Sequence, residues 1–444
     1  MLTAVRDALF VTALCVSFLA QAIPYGFPLF SPVVVLLLSI SLLCSAWSRG
    51  LRGIRVSFGL FLPLLLSSVL VLCYGVLLTG SPDSYVLGDV VNGIAVLVLA
   101  WVAANIEWDR ARLQRFLTRY IWALFCVGLT AGAIGLYKFH ALLNGQTVAF
   151  VADAAGASYP AGTSLVADYN FYSLTILAAM LCGVHLLVET RNYLVKSLLM
   201  TALIGLGAAG LLSGSRRFFI ATPILIVMAM LLALRRRGLR VTITALGAGL
   251  VPLVAVGALI YVAYGPIDWA AITTGWALNE RLLGAVNLGT SLSSRFVRWE
   301  FAIGLLDGWT PWVGRGFDYL RIYGCEFSAC SQPNYPHNPL ISSMLIGGLA
   351  GLASTLLLLG YVFVVAARTL RERTPAATAS LVLLATFLFV SISSNSILSV
   401  KAFLTATLAC VVVIESLRRS RPSSSEPSSA RISGIDEGPQ CRDV

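Results

Sequence analysis

Apolar runs about as long as a membrane is thick recur along nearly the whole chain, and no other feature constrains its fold so strongly. A helix rises ~1.5 Å per residue, so about 20 apolar residues cross a hydrocarbon core of ~30 Å. Twelve stretches meet that test, near 8–23, 29–47, 57–79, 88–107, 117–139, 169–189, 197–213, 218–234, 241–263, 339–367, 377–393 and 401–416. Apolar residues make up 58% of the chain and charged residues only 11%. Soluble domains carry roughly 25% charged residues, so this chain cannot cover a water-facing surface. That excludes a cytosolic enzyme, a nucleic-acid-binding protein and a disordered chain, despite a formal net charge of +11. The expected fold class is an all-α polytopic membrane protein of about 12 transmembrane helices. The first stretch resembles a signal peptide, with Arg6 ahead of it. No small-residue cleavage site follows and the chain turns back at Pro24-Tyr25-Gly26, so it is read as a retained span.

Charge orients the spans. One set of alternate loops carries Arg49, Arg52 and Arg55, then Arg110, Arg112 and Arg115, then Arg191 and Lys196. The run Arg235-Arg236-Arg237 with Arg240, and Arg368, Arg371 and Arg373, complete it. With both termini this side sums to +12 and the other to −1. Lys and Arg collect in cytoplasmic loops, so the first set is expected inside, with both termini. The tail at residues 417–444 is Ser/Pro-rich and expected to be disordered.

Most loops on the opposite face are short, but 264–338 is long, and long loops in compact proteins are usually functional. It holds Trp269, Trp276, Trp299, Trp309 and Trp312, with Arg281, Arg295, Arg298, Arg315 and Arg321. Aromatic rings beside arginines suit a sugar carrying an anionic group; the competing reading is an aromatic belt at the membrane interface. Within the loop, Ser291–Leu306 reads as a helix capped by Ser293 or Ser294. Phe296, Ile303 and Leu306 are expected to pack it down. Arg295, Arg298 and Trp299 fall at i, i+3 and i+4 and share a face. The turn-rich run from Gly308 to Gly316 breaks the helix. Nine cysteines lie mostly singly in apolar runs, neither a disulfide framework nor a zinc pattern. Cys325 and Cys330 are the exception, and an oxidising compartment would join them.

Two further points lie on that face. Ser213-Gly214-Ser215-Arg216-Arg217 is a tight turn with two arginines where charge statistics disfavour them. It binds either an anionic ligand or lipid headgroups. Tyr335-Pro336-His337-Asn338-Pro339 stands where the long loop re-enters the membrane, and Pro339 suits the first turn of the next helix. Gly347, Gly348 and Gly351 in that span allow close packing. His140 and His185 are read as structural. His337 differs because it shares a face with both arginine groups.

Together these points resemble the membrane O-antigen ligase and polymerase superfamily of bacterial envelopes. That family's junction motif is His, then Asn/Ser/Gln, nine residues, Gly, two residues, then Gly/Thr/Tyr. Here it reads His337-Asn338, then Pro339 to Gly347, then Gly348-Leu349-Ala350-Gly351. Ser215-Arg216 is similar to the family's Ser-Arg turn, with Arg217 where Gly is usual. Arg295-Phe296-Val297-Arg298-Trp299 is similar to its Arg-x-x-x-Trp. Pro311-Trp312-Val313-Gly314-Arg315-Gly316-Phe317 is similar to its Pro-x-x-Gly-x-Gly-Phe. The motifs span about residues 210–352.

The resemblance implies a GT-C-like inverting glycosyltransferase of the bacterial inner membrane, with a periplasmic active site. It implies membrane helices over 1–263, a partly helical periplasmic loop over 264–338, and further helices over 339–416. The donor would be O-antigen glycan on undecaprenyl pyrophosphate and the acceptor a sugar of the lipid A–core oligosaccharide, both among membrane lipids. Neither metal, cofactor nor nucleic acid is expected. His337 would be the catalytic base, and Arg216 and Arg295 would bind the pyrophosphate. Arg217, Arg298, Arg315, Asn338 and Trp299 are secondary candidates. A carboxylate base among Asp268, Glu280, Glu300 and Asp307 is the alternative. An O-antigen polymerase is the nearest competing function. Polymerases commonly carry Arg-x10-Gly in periplasmic loops, which no external arginine here begins. An oligosaccharyltransferase usually has an added C-terminal region, where this chain has about 28 mostly polar residues. A transporter or flippase would need ionisable residues in mid-span and repeated halves, whereas the mid-span regions here are nearly uncharged and the two halves show no repeat.

Overall fold

The structure, a computed structural model, describes residues 2–19, 30–49, 58–80, 84–105, 110–143, 146, 148, 163–164, 169–237, 288–328, 330, 334–370, 375–393, 411 and 414–415. The expected span at 241–263, most of that at 401–416, the first third of the long loop and the C-terminal tail lie outside these residues. Secondary structure is entirely helical among the described residues. In chain order come α1 (Leu2–Leu19), α2 (Phe30–Arg49) and α3 (Phe58–Ser67). A π-turn at Ser68–Cys73 continues α3 into α4 (Tyr74–Leu78). Then follow α5 (Ser84–Asn105), α6 (Arg110–Leu143), α7 (Tyr169–Glu189), α8 (Tyr193–Leu212) and α9 (Arg216–Arg237). Beyond them lie α10 (Leu288–Gly304), α11 (Thr310–Val313), α12 (Tyr319–Phe327), α13 (Pro339–Thr369) and α14 (Pro375–Ser393).

Helices therefore occupy ten of the twelve apolar stretches. Four helical segments among the described residues are long and apolar enough to cross a membrane: Leu113–Ala141, Tyr169–Glu189, Tyr193–Leu212 and Pro339–Thr369. The chain is a helical membrane protein. Its side-chain distribution agrees. Leu36, Ile40, Leu43 and Trp47 on α2 are exposed at i, i+4, i+7 and i+11. Ile220, Ile224, Val227 and Leu231 repeat that spacing on α9. Such stripes are a liability in water and the expected outer surface in lipid.

α7 is the hub, packed by α6, α8, α9 and α14 and buried along almost its whole length. Small residues let it sit so close: a Cβ on Gly128 of α6 would stand 2.1 Å from the Ala179 Cβ. Lipid tails give no hydrophobic drive for helix pairing, so backbone approach and polar ties carry it. One tie is Thr378 Oγ1, 3.0 Å from His185 Nδ1, joining α14 to α7 in a buried setting. His185 is thus structural, as its place in the sequence implied. α13 packs against α3, its π-turn and α14, and it carries the long loop's return into the bundle.

Candidate functional site

His337 is the one non-glycine residue with positive φ among the described residues, at 57°. For a side chain with a Cβ this region is uncommon, and such outliers concentrate at functional sites. The residues around it account for the turn. Pro339 forces its predecessor out of the α region, and Asn338 is extended at φ −138°, ψ 112°. Asn338 Oδ1 then accepts from the Leu340 and Ile341 amides at 3.0 and 3.4 Å, an N-cap on α13. That contact makes Asn338 a capping residue. The His337 ring is half-buried, with its centroid 4.5 Å from that of Tyr335.

α10 meets this turn from the loop side. Trp299 Nε1 donates to the Pro336 carbonyl at 2.9 Å. One residue earlier, Arg298 Nη1 donates to Asn334 Oδ1 at 3.1 Å, and its guanidinium lies 5.1 Å over the Phe327 ring. The shared face read from i, i+3, i+4 spacing is therefore the face that grips residues 334–337. Arg295, half-buried, stands one turn before Trp299 on the same helix. Arg298 is occupied as a structural bracket. Asn334 was not singled out by its sequence; its backbone N–H donates to the Leu320 carbonyl and its Oδ1 also accepts from the Tyr335 backbone N–H.

Two expectations for α10 are corrected. It starts at Leu288, so Ser293 and Ser294 lie inside it and not at its cap. Phe296 and Ile303 are exposed, whereas Leu306 packs against the core as expected. The packed face is Phe301, Ala302 and Leu305, with Phe301 set edge-on against Tyr323 and Phe327 of α12. Both faces of α10 are apolar, so periodicity could not choose between them. Tyr323 donates its hydroxyl to the Arg298 carbonyl. Burial raises its pKa above the ordinary tyrosine value, although the charge of Arg298 pulls the other way. A disulfide joins Cys325, in the last turn of α12, to Cys330.

The Gly314-Arg315-Gly316 run and the Gly347-Gly348 pair prove to be two halves of one lock. α13 breaks at Gly347 (φ −124°, ψ 20°) and Gly348 (φ 61°, ψ −154°). Such a break removes helical donors from the carbonyls of the preceding turn. The Leu345 and Ile346 carbonyls accept instead from the Arg315 and Gly316 amides, at 2.6 and 3.1 Å. A Cβ on Gly348 would stand 2.3 Å from the Trp312 carbonyl oxygen, and one on Gly314 2.4 Å from that of Ile346. Phe317 N donates to Thr79 Oγ1 at 2.8 Å, tying the same run to α4. Gly348→Ala combines a forbidden φ with a backbone clash, and is expected to destabilise the fold by about 2–4 kcal/mol. The loss shows as a lowered melting temperature of the detergent-purified protein; an unchanged one would mean the lock is absent.

Arg315 is part of this lock. Its Nε donates to the Leu305 carbonyl at 2.9 Å and its Nη2 pairs with Asp307. The hydrogen bond and charge of Arg315 hold the Asp307 carboxyl below the ordinary carboxylate range. A carboxylate so held is a weak proton acceptor, which counts against Asp307 as a base. Glu300 is exposed on α10, and Asp268 and Glu280 lie outside the described residues.

The second arginine group stands on a different helix pair. Gly214, at φ 69°, turns the chain between α8 and α9. Ser213 Oγ receives the Ser215 amide at 3.2 Å, and Ser215 Oγ donates to Asn170 Oδ1 of α7 at 3.1 Å. Arg216 is thereby set at the first position of α9, with its side chain outside the described set, and Arg217 follows half-buried. At the loop end of α6, buried Lys138 donates to Thr163 Oγ1 and the Ser164 carbonyl at 3.3 and 2.6 Å. Lys138 pins the 163–164 segment, a role its sequence did not signal.

No cluster of metal-ligating residues occurs among the described residues. The comparisons bring no relative: no family model matches the chain, and no curated protein does.

Proposed function

We propose that this protein is an O-antigen ligase with a GT-C-like arrangement of about 12 transmembrane helices, both termini cytoplasmic and the 264–338 loop in the periplasm of a bacterial inner membrane. The observation that carries this reading is the bond from Trp299 to the Pro336 carbonyl. It brings the Arg-x-x-x-Trp helix onto the strained His337 turn, so two separate motifs serve one place. The Cys325–Cys330 disulfide supports an oxidising compartment for that place.

In the proposed reaction the acceptor hydroxyl oxygen attacks the anomeric carbon of the donor sugar from the face opposite the pyrophosphate. The bond from that carbon to the leaving oxygen breaks, and configuration inverts. The electron pair leaves on undecaprenyl pyrophosphate. Neutral His337 accepts the hydroxyl proton. Guanidinium groups of Arg216 and Arg295 match phosphate oxygens bidentately and stay charged at any working pH. They offset the charge that builds on departure, the task a metal performs elsewhere. Holding two membrane-anchored substrates in register contributes further to rate.

Deletion of the gene followed by lipopolysaccharide gel analysis tests the assignment. A ligase leaves core without O-antigen. Core bearing a single repeat unit would instead identify a polymerase. Orientation has its own test, a cysteine introduced at Asn287 and treated with an impermeant thiol reagent. Labelling is expected in intact spheroplasts; labelling only after lysis would reverse the topology and with it the proposed site.

A further inference from the structure

α13 is longer than a membrane requires. Its 31 residues rise about 46 Å, against a hydrocarbon core of ~30 Å. The Gly347–Gly348 break divides it into unlike halves. From Pro339 to Gly348 no residue is exposed. Exposed large apolar side chains begin directly after the break, at Leu349, Leu356, Leu357, Phe363 and Val364. That remainder, Leu349–Thr369, rises about 31 Å, the thickness of the core itself. Exposed apolar surface on α13 thus begins at the break, and the first half-helix is enclosed by protein.

α11 lies at that level. Its Trp312 carbonyl oxygen would stand 2.3 Å from a Cβ on Gly348, so the short helix rests directly against the break. Its backbone is locked by the bonds from Arg315 and Gly316 to the α13 carbonyls. Yet Trp309 is 79% exposed, Trp312 64% and Val313 41%. Large indoles held rigidly outward, beside the exposed Asp307–Arg315 pair, match the composition of a membrane–water interface. The apolar face is continuous in height with the lipid-facing side of α13.

We infer that Gly308–Val313 is an interfacial anchor, with the Trp309 and Trp312 rings seated in the headgroup region of the leaflet on the side of the α10–α12 loop. The partner is the lipid surface itself. The consequence is a fixed height for the loop. His337 stands one half-helix above the break, at most about 15 Å outside the hydrocarbon boundary. The anchor holds it there through the Gly314–Gly316 lock. This inference does not depend on the transfer reaction, and it stands or fails apart from it.

The test uses the full chain in nanodiscs of phosphatidylcholine brominated at shallow or at deep acyl positions. The signal is the difference in tryptophan emission between wild type and the Trp309→Phe/Trp312→Phe double variant. Both rings are exposed, so the variant is expected to fold normally, which its melting temperature checks. The difference signal is expected to fall roughly twofold with shallow bromines, less with deep ones, and little with aqueous iodide. Quenching by iodide but by neither bromolipid would place the rings in water and overturn the anchor. Quenching by none of the three, in particles holding two copies, would assign the face to a second copy and overturn it equally.

Discussion

His337→Ala is expected to reduce transfer in a reconstituted assay by about 10²–10⁴-fold, the usual contribution of a positioned acid–base group. The expectation rests on three features. The residue occupies a strained backbone conformation, at φ 57°. Its neighbours on both sides have structural work, Pro336 accepting from Trp299 and Asn338 capping α13. The ring between them is half-buried beside Tyr335. As a base, the imidazole must be neutral. Protonation at acid pH removes the lone pair that takes the hydroxyl proton, so activity is expected to be lost on acidification. His337→Gln separates two roles, since an amide can orient a hydroxyl but cannot take its proton. Near-normal turnover by Gln would reduce His337 to an orienting group. Near-normal turnover by Ala would make it structural and send the search for the base to Glu280 and Glu300. Donor binding by the Ala variant is expected to persist, because the arginines remain.

Arg216→Ala and Arg295→Ala are each expected to lower transfer by about 10²–10³-fold while the protein remains folded and inserted. Each removes a charge-assisted contact to the leaving pyrophosphate. Lys replacements should rescue poorly, since a point charge does not reproduce the guanidinium fork. Full activity in either Ala variant would remove that arginine from the mechanism. Arg298→Ala is the informative contrast. Arg298 holds Asn334 and covers Phe327, so its loss should lower the melting temperature together with activity. A variant that lost activity at unchanged stability would move Arg298 from bracket to ligand.

The difference between Arg295 and Arg298 shows how far residues alone could be read. Spacing placed both on one face of a helix, and that much follows from 3.6 residues per turn. What Arg298 meets depended on what lay opposite, and Phe327 and Asn334 arrive there only through the tertiary fold. Arg315 makes the same point more sharply. In sequence it is an arginine in a glycine-rich motif of an external loop, a natural anion ligand. In the fold it is pinned by Leu305 and Asp307 and braces the break in α13. Asn338, beside the key histidine, is spent on the helix cap.

The membrane class and the helix positions are legible without coordinates because they follow from local rules. An apolar run of about 20 residues has one favourable fate in a cell, and helical pairing of its backbone is satisfied within the run. Pro339 at a helix start and the end of α10 before Gly308 are local in the same sense. Non-local matters resisted. The Gly314–Gly316 and Gly347–Gly348 motifs are 33 residues apart at Gly314 and Gly347, and nothing in either says that one supplies the amides the other's carbonyls lack. The packed face of α10 stayed undetermined because both its faces are apolar. The strain at His337 is a property of a backbone held from both ends, by Trp299 on one side and the α13 cap on the other. Such facts depend on which groups meet across the chain, and only tertiary packing decides that.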